Sequence, residues 1–153
     1  MIGAIIGDIV GSIYEFDNIK TKVFPFFDER MEYTDDSILT IATADWLLHG
    51  GSVGNYYLKY ATEYPYPMGS YGTMFVEWIH RSRRGIMQPY NSCGNGSAMR
   101  IGPVGWAFDT EKATLVQLRF QLNAPTIIQK ESRARKLFLF VFILHVMANL
   151  HLR

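Results

Sequence analysis

Glycine and proline divide residues 1–84 into segments of helical length, and this division constrains the fold more than any other feature. Apolar segments end at Gly50-Gly51 and at the stretch 64–69, which contains two prolines. Glycine ends helices because it accepts a positive φ, and proline ends them because it lacks a backbone N–H. No segment shows the period-two alternation of a half-buried strand. The sequence therefore predicts an all-α fold, with helices over residues 2–16, 35–48, 53–63 and 73–84.

The first predicted helix carries Gly3, Gly7 and Gly11 at four-residue spacing, which puts them on one face. Each glycine costs about 1 kcal/mol of helix stability relative to alanine, so the pattern favours close approach of another helix. Asp8 and Glu15 interrupt this otherwise apolar segment on roughly one face. We expect a buried helix whose acids either form hydrogen bonds within the structure or face a cleft.

Two adjacent carboxylates, Asp35 and Asp36, lie between the hydroxyls of Thr34 and Ser37 at the start of the second helix. Thr34 suits the N-cap position, and acids in a first turn interact favourably with the helix dipole. The same crowding of oxygen donors suits a hard cation such as Mg²⁺ or Ca²⁺. Successive helical residues point about 100° apart, so from a first turn the two carboxylates can reach two ions. By itself the stretch leaves both interpretations open.

A glycine-rich stretch, residues 91–100, precedes another predicted helix start near Ser97. Gly94 and Gly96 permit a left-handed backbone, so that successive N–H groups can point into a shared concavity that binds an anion. The alternative is an ordinary turn. Cys93 has no partner spacing for a thiol nucleophile and is interpreted as a small buried residue.

The charge of the chain changes sign after Thr110. Residues 1–110 contain 8 basic and 12 acidic side chains, net −4, whereas the remainder contains 7 basic and 2 acidic, net +5. All 13 glycines and all 9 tyrosines precede this point. The change predicts a boundary between a domain over 1–110 and a different segment over 111–153.

Several functional classes are disfavoured by the composition. The longest apolar run, 137–144, is shorter than the roughly 20 residues that a membrane span needs, so we expect no span. The net charge of +1 gives no indication of specific nucleic-acid binding. A single cysteine is compatible with a reducing, cytoplasmic location.

Three stretches together, residues 3–15, 33–37 and 94–100, resemble the ADP-ribosylglycohydrolase family in order and spacing. The resemblance covers roughly residues 1–109. It implies a helical domain with two Mg²⁺ ions that hydrolyses the N- or O-glycosidic bond between ADP-ribose and an acceptor. The implied partner is an ADP-ribosylated protein or a small ADP-ribosyl compound.

The resemblance also implies roles for individual residues. The first metal motif of the family matches Thr34, Asp35 and Asp36. Glu15 matches the acidic residue near the scissile bond and is the expected acid/base group. The loop that holds the phosphates and ribose of ADP-ribose matches Ser92, Gly94, Asn95 and Gly96.

The chain departs from the family near its C-terminus. Family members carry a second metal motif there, an Asp-x-Asp followed by Thr or Ser, but this chain has no Asp after Asp109. We therefore expect a truncated or out-of-frame product, which puts the binding of two ions and turnover in question. The alternative function is a non-catalytic fragment or an ADP-ribose-binding module. A terpenoid-synthase type of site would need Asp-Asp-x-x-Asp, but the fifth position is Leu39.

Overall fold

Helices make up most of the described chain, which in this computed structural model comprises residues 1–92, 94, 96–107 and 126–127. In chain order the helices are α1 (Ile2–Gly11), α2 (Asp35–His49), α3 (Val53–Glu63), α4 (Thr73–Ser82), α5 (Gly96–Met99) and α6 (Gly102–Ala107). A 3₁₀ turn at Ser12–Tyr14 follows α1. Two short strands, β1 (Tyr90–Asn91) and β2 (Thr126–Ile127), pair in parallel. The predicted all-α class is confirmed, and the short strand pair adds to it.

Both ends of α2 follow from the local sequence. The Thr34 side chain accepts a hydrogen bond from the backbone N–H of Asp36 at 3.2 Å, as an N-cap residue does. At the other end Gly50 has φ 75°, and its N–H donates to the Trp46 carbonyl oxygen at 2.7 Å. The predicted N-cap and the predicted glycine stop are both confirmed.

The core lies between α2, α3 and α4. One large side chain from each helix, Leu39, Tyr57 and Trp78, is at most 1% exposed. The buried hydroxyls of Tyr57 and Thr43 share a hydrogen bond of 3.1 Å. Burying each large apolar side chain contributes about 1.5–3 kcal/mol relative to leaving it in water. This packing holds α2 firmly, and the first turn of α2 carries the acid pair.

The two short helices after the glycine-rich stretch also pack on this core. The Thr40 hydroxyl of α2 donates to the Met99 carbonyl oxygen at 3.4 Å. The guanidinium of Arg100 is buried and lies 4.4 Å from the centroid of the Tyr57 ring, a cation–π contact. Val104 of α6 is completely buried. These contacts attach the residues that follow the glycine-rich stretch to α2 and α3.

The prediction of a buried first helix is wrong for the part of the chain that the structure describes. No residue of α1 is buried, and Ile2 is 71% exposed. A Cβ atom added at Gly3, Gly7 or Gly11 would meet no atom within 4 Å. The glycine face therefore has no described helix packed against it. Ile5, Asp8, Ile9 and Val10 are partly buried, and Asp8 accepts hydrogen bonds from the start of α2.

Residues 17–32 lead to α2 without helix or strand. Within it Phe24 makes an edge contact with Tyr14, and Arg30 forms a surface ion pair with Asp28 at 2.8 Å. No helix in the described ranges is long and apolar enough to cross a membrane. The apolar run 137–144 and the predicted boundary after residue 110 lie outside the described residues.

Candidate active site at the start of α2

Three segments meet at the first turn of α2: the residues after α1, the Thr34 region and a turn at residues 67–70. The Met68 N–H donates to the Tyr33 carbonyl oxygen at 3.2 Å, and Thr34 pairs with Met68 in a parallel β-bridge. A Cβ atom at Gly69 would lie 3.6 Å from Glu15 Oε2. The structure therefore brings Glu15 to the same place as the metal motif, although 20 residues separate Glu15 from Asp35 in the sequence.

The turn at 67–70 is tight and has an unusual backbone. Gly69 and Ser70 have φ values of 76° and 66°, and the Ser70 N–H donates to the Pro67 carbonyl oxygen at 3.0 Å. A positive φ is uncommon for a residue other than glycine. At Gly69 a Cβ atom would also lie 3.0 Å from the Phe16 ring. The absence of a side chain at Gly69 is therefore what allows the residues after α1 to approach this turn.

Asp8 accepts four hydrogen bonds from the start of α2. Its Oδ2 accepts from the backbone N–H of Thr34 at 3.0 Å, and from the N–H and hydroxyl of Ser37 at 3.2 and 2.6 Å. Its Oδ1 accepts from the Thr34 hydroxyl at 2.6 Å. The carboxylate thus takes the place that an anion favours at a helix N-terminus. Of the two roles expected for this acid, the structure shows the hydrogen-bonded one.

The acid pair lies in a strongly negative environment. Burial, followed by the negative charges of Asp36, Glu15 and Asp8, raises the pKa of Asp35 from 3.8 to about 7. Burial, followed by the charges of Asp8 and Glu15, raises the pKa of Asp36 to about 6. The charges that cause these increases are all negative. The deprotonated pair would therefore be stabilised by a cation.

The donor set suits a hard cation in its chemistry, because Thr34, Asp35 and Asp36 offer only oxygen atoms. It is a partial set. Among the described residues no group of three or more His, Cys, Asp or Glu side chains is arranged to hold a metal ion. The three residues therefore supply some of the ligands that a cation would need.

Tyr71 is a neighbour of the acid pair that the sequence analysis missed. Burial raises the pKa of its hydroxyl, and the negative charge of Asp35 and the neighbouring Tyr33 raise it further. The hydroxyl donates to the Tyr64 carbonyl oxygen at 2.8 Å. Tyr71 is therefore a buried, neutral side chain near Asp35. No sequence pattern marks it, because it follows an irregular turn and belongs to no periodic segment.

The glycine-rich loop has no described hydrogen bond to the acid pair. The Gly94 N–H donates to the Ser92 hydroxyl at 3.0 Å, and Gly96 begins the four-residue helix α5. Asn95 lies outside the described residues. In the described part of this loop, no hydrogen bond or ion pair joins Ser92, Gly94 or Gly96 to the acid cluster, which consists of Asp8, Glu15, Asp35 and Asp36. The structure thus brings Glu15 close to the first metal motif and shows no such contact for the loop.

A family model described as ADP-ribosylglycohydrolase matches residues 1–134, which is most of the 153-residue chain. The chain belongs to the ADP-ribosylglycohydrolase family. None of the curated proteins and none of the solved structures matches it. The resemblance carried by the three motifs is confirmed, and the match to the ADP-ribosylglycohydrolase model continues past residue 109. Family membership supports a glycohydrolase-type function in general.

Proposed function

We propose that this chain forms the first part of an Mg²⁺-dependent ADP-ribosylglycohydrolase site, which hydrolyses the N- or O-glycosidic bond between ADP-ribose and an acceptor. The observation that carries the proposal is the acid cluster at the start of α2. There Asp35 and Asp36 have pKa values raised to about 7 and 6 by burial and negative neighbours. Such a pair is unfavourable without a counter-ion and favourable around a divalent cation.

Four residues at the start of α2 and beside it would take part in this reaction. Thr34, Asp35 and Asp36 would hold Mg²⁺, which supplies Lewis acidity to the ribose hydroxyls and the attacking water. Glu15 would exchange a proton with the leaving group or the water as positive charge develops at the anomeric carbon. Its exposed side chain beside Gly69 leaves it accessible to a substrate.

The loop at residues 92–96 is proposed to bind the diphosphate and ribose of ADP-ribose. Backbone N–H groups bind phosphate oxygens well because they carry a partial positive charge, and at glycine no side chain blocks the approach of the phosphate. Gly94 is exposed, so a phosphate could approach its backbone. The substrate would be an ADP-ribosylated protein or a small ADP-ribosyl compound.

One observation favours a second candidate function. The sequence contains no Asp after Asp109, and the described acids supply a partial ligand set. A site with a partial set of metal ligands can bind ADP-ribose without cleaving it. The alternative is therefore a non-catalytic ADP-ribose-binding module.

Isothermal titration calorimetry with MgCl₂ and with ADP-ribose, combined with an assay for release of ADP-ribose from an ADP-ribosylated protein, tests these proposals. Binding of both ligands with hydrolysis supports the enzyme, and binding without hydrolysis supports the module. No heat with either ligand would exclude both. The Asp36→Asn variant should lose Mg²⁺ binding, whereas Asp45→Asn, an acid at the far end of α2, is the matched control.

The role of Glu15 requires its own experiment. Replacing it with glutamine keeps the size of the side chain and removes its ability to exchange a proton. In a family member with both metal motifs, the same substitution should lower kcat by about 10²–10⁴-fold with little change in Mg²⁺ affinity. Unchanged hydrolysis would show that Glu15 is not the acid/base group.

A further inference from the structure

We propose that Asp8 is a positioning residue that sets the direction of the Thr34 hydroxyl proton and thereby prepares the first metal motif for a cation. Asp8 is outside the proposed ligand set, and no role in the reaction has been given to it above. Because this role concerns the cation site, it rests on the proposed function. It follows from the directions of the hydrogen bonds around Thr34.

The Thr34 hydroxyl can form three hydrogen bonds, and two of them are made in the structure. Its proton is donated to Asp8 Oδ1 at 2.6 Å, and one lone pair accepts from the Asp36 N–H at 3.2 Å. A hydroxyl has one proton and two lone pairs, so one lone pair remains. A cation requires a lone pair and is repelled by a proton. Asp8 therefore keeps the proton of Thr34 away from the position that a cation would take.

The orientation of Asp8 itself is fixed from its other oxygen. Oδ2 accepts from the N–H of Thr34 and from the N–H and hydroxyl of Ser37, all within 3.2 Å. Thr34 and Ser37 are each 3% exposed, so water does not readily replace these partners. Hydrogen bonds to an ionised carboxylate are also stronger than those between neutral groups. The carboxylate therefore cannot turn away from the Thr34 hydroxyl without losing several bonds.

An amide at position 8 would reverse the Thr34 hydroxyl. In Asp8→Asn the amide oxygen is expected to face the three donors that now bind Oδ2, because an NH₂ group there would meet three other donors. The NH₂ group then faces Thr34 and donates to its oxygen. Both lone pairs of Thr34 become occupied, by the amide and by the Asp36 N–H, and its proton points to the cation side. The fold keeps most of its hydrogen bonds while the motif loses a ligand.

Calorimetric titration of the full chain with MgCl₂ measures this loss. We expect Asp8→Asn to weaken Mg²⁺ binding about 10–100-fold, the usual effect of removing a group that orients a metal ligand. Asp45→Asn is the matched control, because it removes an acid at the far end of α2, where Asp45 bonds to Tyr60 and His49, and leaves every bond to Asp8 intact. Its Mg²⁺ affinity should stay close to that of the unsubstituted chain. Circular dichroism and thermal unfolding check that both variants fold.

A loss of affinity in Asp8→Asn has a rival explanation, since the substitution also removes a negative charge near the site. Repeating it in a Thr34→Val background separates the two causes. If Asp8 acts through the hydroxyl, Asp8→Asn adds little to the loss already caused by Thr34→Val. An equal loss in both backgrounds would show a charge effect and overturn the proposal. Thr34→Ser, which keeps the hydroxyl, should retain the affinity.

The remaining outcomes are also decisive. If titration of the unsubstituted chain with MgCl₂ releases no heat, the cation site is refuted. Thermal unfolding of the single and double variants then decides whether Asp8 acts on Thr34. Coupled effects of Asp8→Asn and Thr34→Val on unfolding would uphold the link between the two side chains, and additive effects would overturn it. If Asp8→Asn does not fold, equal Mg²⁺ affinities of Thr34→Ser and Thr34→Val would overturn the proposal, and a loss confined to Thr34→Val would support it.

Discussion

Replacing Asp35 with asparagine should stabilise the metal-free chain at pH 8 and leave it nearly unchanged at pH 4. Burial and then the neighbouring negative charges raise the pKa of Asp35 from 3.8 to about 7 in the folded chain. A carboxyl with a higher pKa in the folded state keeps its proton longer there than in the unfolded state. The free energy of unfolding therefore falls as the pH rises from about 4 to about 7. Asparagine carries no charge to bury, so the free energy of unfolding of the variant does not fall in this way.

The magnitude follows from the pKa values. The difference, about 7 − 3.8, is about three pKa units and corresponds to at most about 4 kcal/mol. Asp35 is only partly buried, and solvent screening reduces the effect. We therefore expect the variant to gain about 1–3 kcal/mol at pH 8. Such a cost to stability is what the proposed role of Asp35 in a cation site would entail.

Urea unfolding followed by circular dichroism at pH 4 and pH 8, with EDTA present, measures the gain. Asp45→Asn at the other end of α2 is the control. At Asp45 burial acts to raise the pKa, but hydrogen bonds from Tyr60 and His49 and the charge of Lys59 outweigh it and lower the pKa. The control should therefore be destabilised at pH 8. If Asp35→Asn is destabilised at pH 8, or changes equally at both pH values, the reasoning is wrong.

Three further predictions concern the cation, the turn and the core. Mg²⁺ should raise the Tm more at pH 8 than at pH 5.5, because protons compete with the ion for Asp35 and Asp36. An equal increase in Tm at both pH values in scanning calorimetry would contradict this. Gly69→Ala should cost about 1–3 kcal/mol in urea unfolding, because its φ is positive and a Cβ atom would crowd the ring beside it; an unchanged midpoint would count against the described turn. Leu39→Ala should lower the free energy of unfolding by about 2–5 kcal/mol. Leu48→Ala, at an exposed position of the same helix, should change it by less than about 0.5 kcal/mol. Similar losses in the two variants would contradict the described core.

The helices could be predicted because their ends are encoded locally. The predicted helix over 53–63 has the observed bounds, and α2 ends at Gly50 as its sequence indicates. A hydroxyl residue before the first turn and a glycine after the last one act on neighbouring backbone groups only. Such signals need no knowledge of the rest of the fold. The predicted first helix was less accurate, since its last turn is a 3₁₀ turn that periodicity does not distinguish.

The contacts that build the candidate site could not be predicted, because they join residues that are distant in sequence. Asp8 meets Thr34 and Ser37 across 26 and 29 positions, and Gly69 meets the residues after α1 across more than fifty. No local pattern specifies such partners. The family resemblance supplied candidate ligands by position, but it gave no indication that Asp8 would be hydrogen-bonded to the first metal motif.

The exposed first helix has a consequence for the motions of the chain. Helix α1 buries no side chain, and Asp8 is its hydrogen-bonded link to α2 among the described residues. The apolar side chains of Ile5, Ile9 and Val10 are only partly buried, and a helix held in this way opens at a lower free energy than one embedded in a core. In deuterium exchange, the amides of α1 should therefore exchange long before those of α2, and the first metal motif would repeatedly lose and regain the carboxylate that orients it.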